Sequence, residues 1–317
     1  MAISTKPLLT DSFLRSVWAD EYEAFKGSPE EAALDRRLNN WANRRDLGER
    51  ASEAAFIITF FGETWGYSGT GQSASANFTF RQQFPIPETG QDGGTGSSDL
   101  VLGWFTGDDR DVPQVVCEFK GVKGSLDSPQ RRPGKAGNRT PVEQAKDYLW
   151  GARRRLFGNE DIILEWAIVT NMREFRLYWF DRMPHEAMMF TLGGDLFDQE
   201  RNMLASGDKP RFLRFAFSKM FQVNTLLSSG SGGSALRRLI AQQGVKQKKI
   251  EKTFYFEYRD LRETLYNALV THNPTFVGTK GQLLRVAQRI LDRILFVLYC
   301  EDRGGVIGFP SVIPSFP

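Results

Sequence analysis

The spacing of apolar residues changes character along the chain. Residues 10–63 read mainly as helices. Asp11-Ser-Phe-Leu opens one and Pro29-Glu-Glu-Ala a second. Ser52-Glu-Ala-Ala-Phe reads as the first turn of a third, which Phe56–Phe61 continues as a buried face. A proline in a first turn loses no hydrogen bond, and acids there meet the positive end of the helix dipole. After Gly71 the pattern shifts to short runs between turn residues. Phe78–Phe84 alternates as a half-buried strand does, and Asp99–Phe105 and Gln114–Lys120 are two further strands. The glycine-rich tract Thr89–Ser98 is the turn before Asp99. Pro141–Phe157 returns to helical spacing, with Thr140 as N-cap and Glu143 placed for a capping box. Ile162–Val169 and Glu174–Phe180 complete the strands, on either side of a Thr170-Asn171 turn.

This order, helix, three strands, helix, strand, strand, predicts an α/β fold with a mixed sheet flanked by helices, not a repeat or a doubly wound sheet. Residues 181–234 carry no clear period and end in the Gly/Ser run Ser228–Ser234, a linker composition. From Ala235 the chain is helical again. Ile250–Val270 carries an aromatic stripe, and Leu283, Leu284, Ala287, Leu291, Ile294, Leu295 and Leu298 form one apolar face over Lys280–Asp302. The expected division is an α/β domain over 1–190, an irregular linker over 191–234 and a helical domain over 235–317.

Composition narrows the function classes. With 317 residues the chain is long enough for roughly two domains. A net charge of +3 does not by itself announce a nucleic-acid binder. Two cysteines, Cys117 and Cys300, and two histidines, His185 and His272, lie far apart, which argues against a zinc site or a Cys–His catalytic pair. The start lacks a signal-peptide pattern, and the most apolar run, Ile290–Cys300, is short and holds Asp292 and Arg293. The expectation is a soluble cytoplasmic protein with no membrane partner.

The chemistry concentrates at Asp99, Glu118 and Lys120. In a strand Glu118 and Lys120 share one face while Cys117 and Phe119 take the other. Hairpin pairing would bring Asp99 beside Glu118, and two converging carboxylates make a hard oxygen site suited to Mg²⁺. Lys120 would then orient a water or neutralise charge developing on a phosphoryl group. The same residues also fit a solvated sheet face, so their neighbours matter. Gln144 and Tyr148 are four apart on the following helix and can point at one site, or belong to an ordinary amphipathic helix. Glu53 is a further carboxylate for the metal, or an acid placed by the helix dipole. The loop after the third strand carries Lys123, Arg131, Arg132, Lys135 and Arg139 against one acid, Asp127, a local charge of +4 where a phosphate backbone could pass. The glycines of 90–96 lead into a strand and do not form a phosphate loop. Arg153–Arg155 and Lys246–Lys249 read as solvated helix ends, and Phe254, Tyr255, Phe256 and Tyr258 as helical core.

In the order Glu53, Asp99, Glu118-x-Lys120, Gln144-x-x-x-Tyr148, residues 45–180 resemble the PD-(D/E)XK nuclease superfamily, in its branch with a Gln-x-x-x-Tyr helix. Ser98 stands where the name-giving pattern has proline. TPVEQAKDYLWGARRRL followed by WAIVTNMREFRLYWFD resembles the N-terminal nuclease domain of single-chain Type II restriction–modification enzymes (Type IIG, in part called IIL). FYFEYRDLRETLYNAL and AQRILDRILFVLYCEDRGGVI resemble their helical connector. The resemblance implies a Mg²⁺-dependent endonuclease on double-stranded DNA, acting in phage defence, for which an oligomer would serve double-strand cleavage. In such enzymes an adenine-methylating domain that uses S-adenosylmethionine and a target-recognition domain follow. No Asn-Pro-Pro-Tyr/Phe motif occurs here, so S-adenosylmethionine is expected only if such a domain follows, and the chain reads as a fragment of a longer enzyme or a stand-alone relative. The rival reading is a non-catalytic DNA-binding or assembly module that keeps the fold.

Overall fold

The computed structural model describes residues 6–44, 49–69, 78–86, 95–106, 111–129, 139–154, 164–193, 200–230 and 233–302. They divide into two compact units, 1–243 and 244–317.

The first unit is built on a six-stranded sheet, β1 (Phe78–Ile86), β2 (Gly96–Phe105), β3 (Val112–Phe119), β4 (Trp166–Thr170), β5 (Glu174–Trp179) and β6 (Met188–Thr191), in the order β1-β2-β3-β4-β5-β6. All neighbours are antiparallel except β3 and β4. A parallel pair needs a crossover, and α5 (Pro141–Arg154) supplies it. Glu143 and Thr140 start α5 with a reciprocal capping box: the Thr140 N–H donates to Glu143 Oε2 at 2.7 Å, and the Glu143 N–H to Thr140 Oγ1 at 3.1 Å. Gly103 sits where the β2–β3 register slips, and a Cβ there would collide with the Val112 carbonyl.

Strand alternation divides the core into two layers. Leu100, Leu102, Val115, Cys117 and Phe119 face the larger one, with Trp166, Ile168, Phe175 and Leu177. It is closed by α1 (Asp11–Val17), α2 (Ala19–Phe25), α3 (Pro29–Ala42), α4 (Glu49–Phe56), α6 (Asp208–Met220) and α7 (Val223–Leu226). Val101, Val116, Ala167, Val169 and Tyr178 face the other layer, which α5 covers with Val142, Ala145, Tyr148 and Leu149. Thus the α/β class with a mixed sheet flanked by helices is present.

Several elements differ from the sequence expectation. α4 does continue through Phe56–Phe61, but as a π-helical stretch, Ile57–Thr64, that turns Phe56, Phe60 and Phe61 into the core. β2 begins at Gly96, so Asp99 lies inside the strand and does not open it. The stretch expected as a linker over 191–234 holds α6 and α7, and Phe212, Phe215, Phe217, Phe221 and Leu226 pack into the larger layer. Ser228 is likewise held, its N–H donating to Gln114 Oε1 at 2.6 Å and its carbonyl accepting from Trp104 Nε1 at 2.7 Å.

The helices of the second unit are α8 (Ala235–His272), whose first turns belong to the first unit, and α9 (Lys280–Asp302). Tyr258 donates to Asp292 at 2.7 Å. Phe254, Tyr255 and Phe256, expected as core, are exposed, as are Leu284, Ile294 and Leu298 of the apolar α9 face. Two helices share one seam, which covers a single stripe of each. Among the described residues no helix is long and apolar enough to cross a membrane.

Candidate active site

The β2–β3 register pairs Leu100 with Cys117, and one further step places Asp99 opposite Glu118. Both side chains then stand on the α5 face, since Cys117 and Phe119 occupy the other layer. The Lys120 N–H donates to the Thr170 carbonyl of β4 at 2.8 Å, so the preceding Phe119 N–H points towards β2. There it donates to Asp99 Oδ2 at 2.6 Å, and the carboxylate stands in for a ladder carbonyl. This bond orients Asp99 from the main chain itself. Asp99 is half-buried and reaches solvent.

Glu118 is 1% exposed and Lys120 7%. A buried carboxylate is tolerable only when its charge and lone pairs are matched. Lys120 Nζ donates to Glu118 Oε1 at 2.5 Å, and Gln144 Nε2 donates to Oε2 at 3.0 Å. The same Gln144 amide nitrogen donates to the Tyr148 hydroxyl at 2.7 Å, which in turn donates to the Ser97 carbonyl at 2.9 Å. Tyr148 thereby fixes which way the amide faces, and both amide protons are used. Helical spacing of four residues is what lets Gln144 and Tyr148 meet. Burial pushes the Cys117 thiol well above its ordinary value, and the nearby charges of Asp99 and Glu118 add to it. Both acids therefore act on the same short stretch of β3.

Glu118, Lys120, Gln144 and Tyr148, all singled out by sequence, thus form one hydrogen-bonded cluster, and Asp99, also singled out, is bonded to the main chain between Glu118 and Lys120. Glu53 lies half-buried on α4. Among the described residues no group of three or more His, Cys, Asp or Glu side chains is placed to hold an ion, so Glu53 is not gathered with Asp99 and Glu118 into a three-acid set. Of the basic loop, Lys123 is exposed and Arg139 pairs with Asp147 at 2.7 Å, while Arg131, Arg132 and Lys135 lie outside the described residues. No family model matches the chain, and searches of the curated proteins and of the solved structures return no match. What the cluster can do follows from its side chains.

One residue that sequence reasoning did not single out as functional shares the sheet face of Glu118, two strands away. Arg176 on β5 is buried and pairs with Asp127 and Glu174. The signal was available: an arginine inside the apolar strand EFRLYW needs a partner.

For a divalent cation the donor set fits. Mg²⁺ is commonly held by one or two carboxylates and completes its shell with water and phosphate oxygens. Asp99 and Glu118, opposite each other on β2 and β3, are the two that could do so. No other described acid is required.

Proposed function

We propose that the first unit is a Mg²⁺-dependent endonuclease domain that hydrolyses phosphodiester bonds of double-stranded DNA, as the cleavage part of a restriction–modification enzyme. The observation that carries this reading is the buried Glu118–Lys120 pair beside a solvent-reaching Asp99. A purely structural ion pair does not call for a third, adjacent charge. A bound Mg²⁺ would polarise a phosphodiester oxygen and lower the pKa of a water. Asp99 and Glu118 would hold it. Lys120, paired with Glu118, would offer one positive charge to the phosphoryl oxygens as negative charge develops on them in the transition state. Gln144 and Tyr148 keep Glu118 in one rotamer, so the site needs little rearrangement before reaction. Lys123 and its basic neighbours in sequence would meet the phosphate backbone. Asp127, the one acid of that loop, is already neutralised by Arg176 and offsets them little.

The test is conversion of supercoiled plasmid to nicked or linear DNA. Wild type is expected to act only with Mg²⁺, and Asp99→Ala and Lys120→Ala proteins, assayed under conditions where each is shown to be folded, are expected to be inactive. Equal activity in all three would sink the reading. A second reading, a non-catalytic DNA-binding module, is favoured by one fact: both Glu118 oxygens already have protein donors. It predicts salt-sensitive, metal-independent DNA binding with no cleavage.

A further inference from the structure

Lys120 lies one residue past the end of β3 yet is almost fully buried. The chain that leaves it folds straight back. The Gly124 N–H donates to the Gly121 carbonyl at 2.7 Å, closing a tight turn. A Cβ at Gly124 would stand 3.2 Å from the Lys120 Cβ and 3.0 Å from the Gly121 oxygen, so this main chain lies against the lysine stem. Further along, Asn171 Nδ2 donates to the Gly124 carbonyl at 2.8 Å, and Leu126 is buried among the residues under α5. The segment ends at Asp127, whose two carboxylate oxygens accept from Arg176 Nη1 and Nη2 at 2.7 Å each.

Arg176 is a costly residue to place there. It sits on β5 with Glu118 opposite Val169 and Val169 opposite Arg176, which puts it on the same sheet face as Glu118. Burial opposes its charge, but the hydrogen bonds it donates to Asp127 and Glu174 overcome that and hold its pKa above the ordinary value. Arg176 Nε donates to Glu174 Oε1 at 2.6 Å, so the whole guanidinium fork is engaged. One end of the 121–127 segment is thus Lys120 and the other a bidentate clamp two strands away.

We propose that Arg176 is a positioning residue: by clamping Asp127 it keeps the 121–127 strap over Lys120, so that the amine stays on Glu118 and out of solvent. The use of such a device rests on the nuclease reading, because that reading requires Lys120 in one place, whereas its existence is tested on the lysine itself. A brief pulse of an amine-acetylating reagent on the full chain, read by peptide mass spectrometry, gives the reactivity of Lys120 relative to Lys123, the exposed lysine of the same strap. In wild type Lys120 is expected to be protected. Asp127→Ala and Asp127→Asn should raise the Lys120 to Lys123 ratio several-fold, and Asp127→Glu should keep it near wild type. An unchanged ratio in both Asp127→Ala and Asp127→Asn overturns the proposal. So does an equal rise at Lys219, on α6 in the opposite layer, because that reports general loosening. Plasmid nicking does not enter this readout, so loss of the nuclease reading and loss of the strap are told apart.

Discussion

Replacing Lys120 by Met removes the cation that matches Glu118 while keeping most of the stem. Glu118 is then buried without the Lys120 charge, beside the neutral Gln144 amide. Stranding one member of a buried pair costs about 3–5 kcal/mol. A second route gives the same size. The carboxyl can escape by taking up a proton, and for an ordinary glutamate that costs about 4 kcal/mol at pH 7 but about 1 kcal/mol at pH 5. The Lys120→Met protein should therefore be strongly destabilised at pH 7 and recover towards wild type at pH 5. The Glu118→Gln/Lys120→Met double variant, with no charge left, should be more stable than Lys120→Met alone at pH 7, a coupling of roughly 2 kcal/mol or more. Urea unfolding followed by tryptophan fluorescence reads this cleanly, since all seven tryptophans lie between Trp18 and Trp179, in the first unit. A loss below about 1 kcal/mol at pH 7, or an equal loss at both pH values with additive variants, refutes the pairing.

Gln144→Ala removes one donor from the buried Glu118 carboxylate and one from Tyr148, and Tyr148→Phe removes the bonds to Gln144 and to the Ser97 carbonyl. Each should cost about 1–3 kcal/mol, and a loss below about 0.5 kcal/mol for either by urea unfolding would contradict the relay. The Arg176 hydrogen bonds hold the Asp127 carboxyl below its ordinary value of 3.8. Its contribution is therefore full above that value and fades as pH falls below it. The stability gap between wild type and Asp127→Asn should be present at neutral pH and close in acid, and a gap that does not change with pH would contradict this. Tyr22 donates to Asp208 at 2.7 Å, and burial, then that bond, raise its phenol from 10.0 to about 12. Its contribution is intact below pH 10 and lost as pH rises towards 12, so wild type should lose stability relative to Tyr22→Phe across that window.

The site was legible in the sequence because its residues obey two simple periods. Glu118 and Lys120 share a strand face at a spacing of two, and Gln144 and Tyr148 a helix face at four. The capping box at Thr140 was legible for the same local reason. What was not legible depends on distant partners. The alternation of β3 gives Lys120 a face but not the strap that covers it. Arg176 inside EFRLYW signals a charge that needs a partner, but the strand does not say that Asp127, in a remote loop, supplies it. β6 and α6 were missed because Met188–Thr191 is short, and because α6 buries residues around much of its girth while Arg and Lys interrupt the pattern. The aromatics of α8 read as core by composition, but burial needs a facing surface, and the α9 hairpin supplies one seam.

In the proposed function Asp99 and Glu118 would form a divalent-metal centre that acts on DNA. The most direct measurement is Mn²⁺ binding by electron paramagnetic resonance with a DNA duplex present, because a two-carboxylate site completes its shell with phosphate and water. Wild type is predicted to bind Mn²⁺ in a way that Asp99→Asn and Glu118→Gln each abolish, with folding intact. Binding that is the same in all three proteins, or no bound Mn²⁺ in wild type with duplex present, would contradict the account.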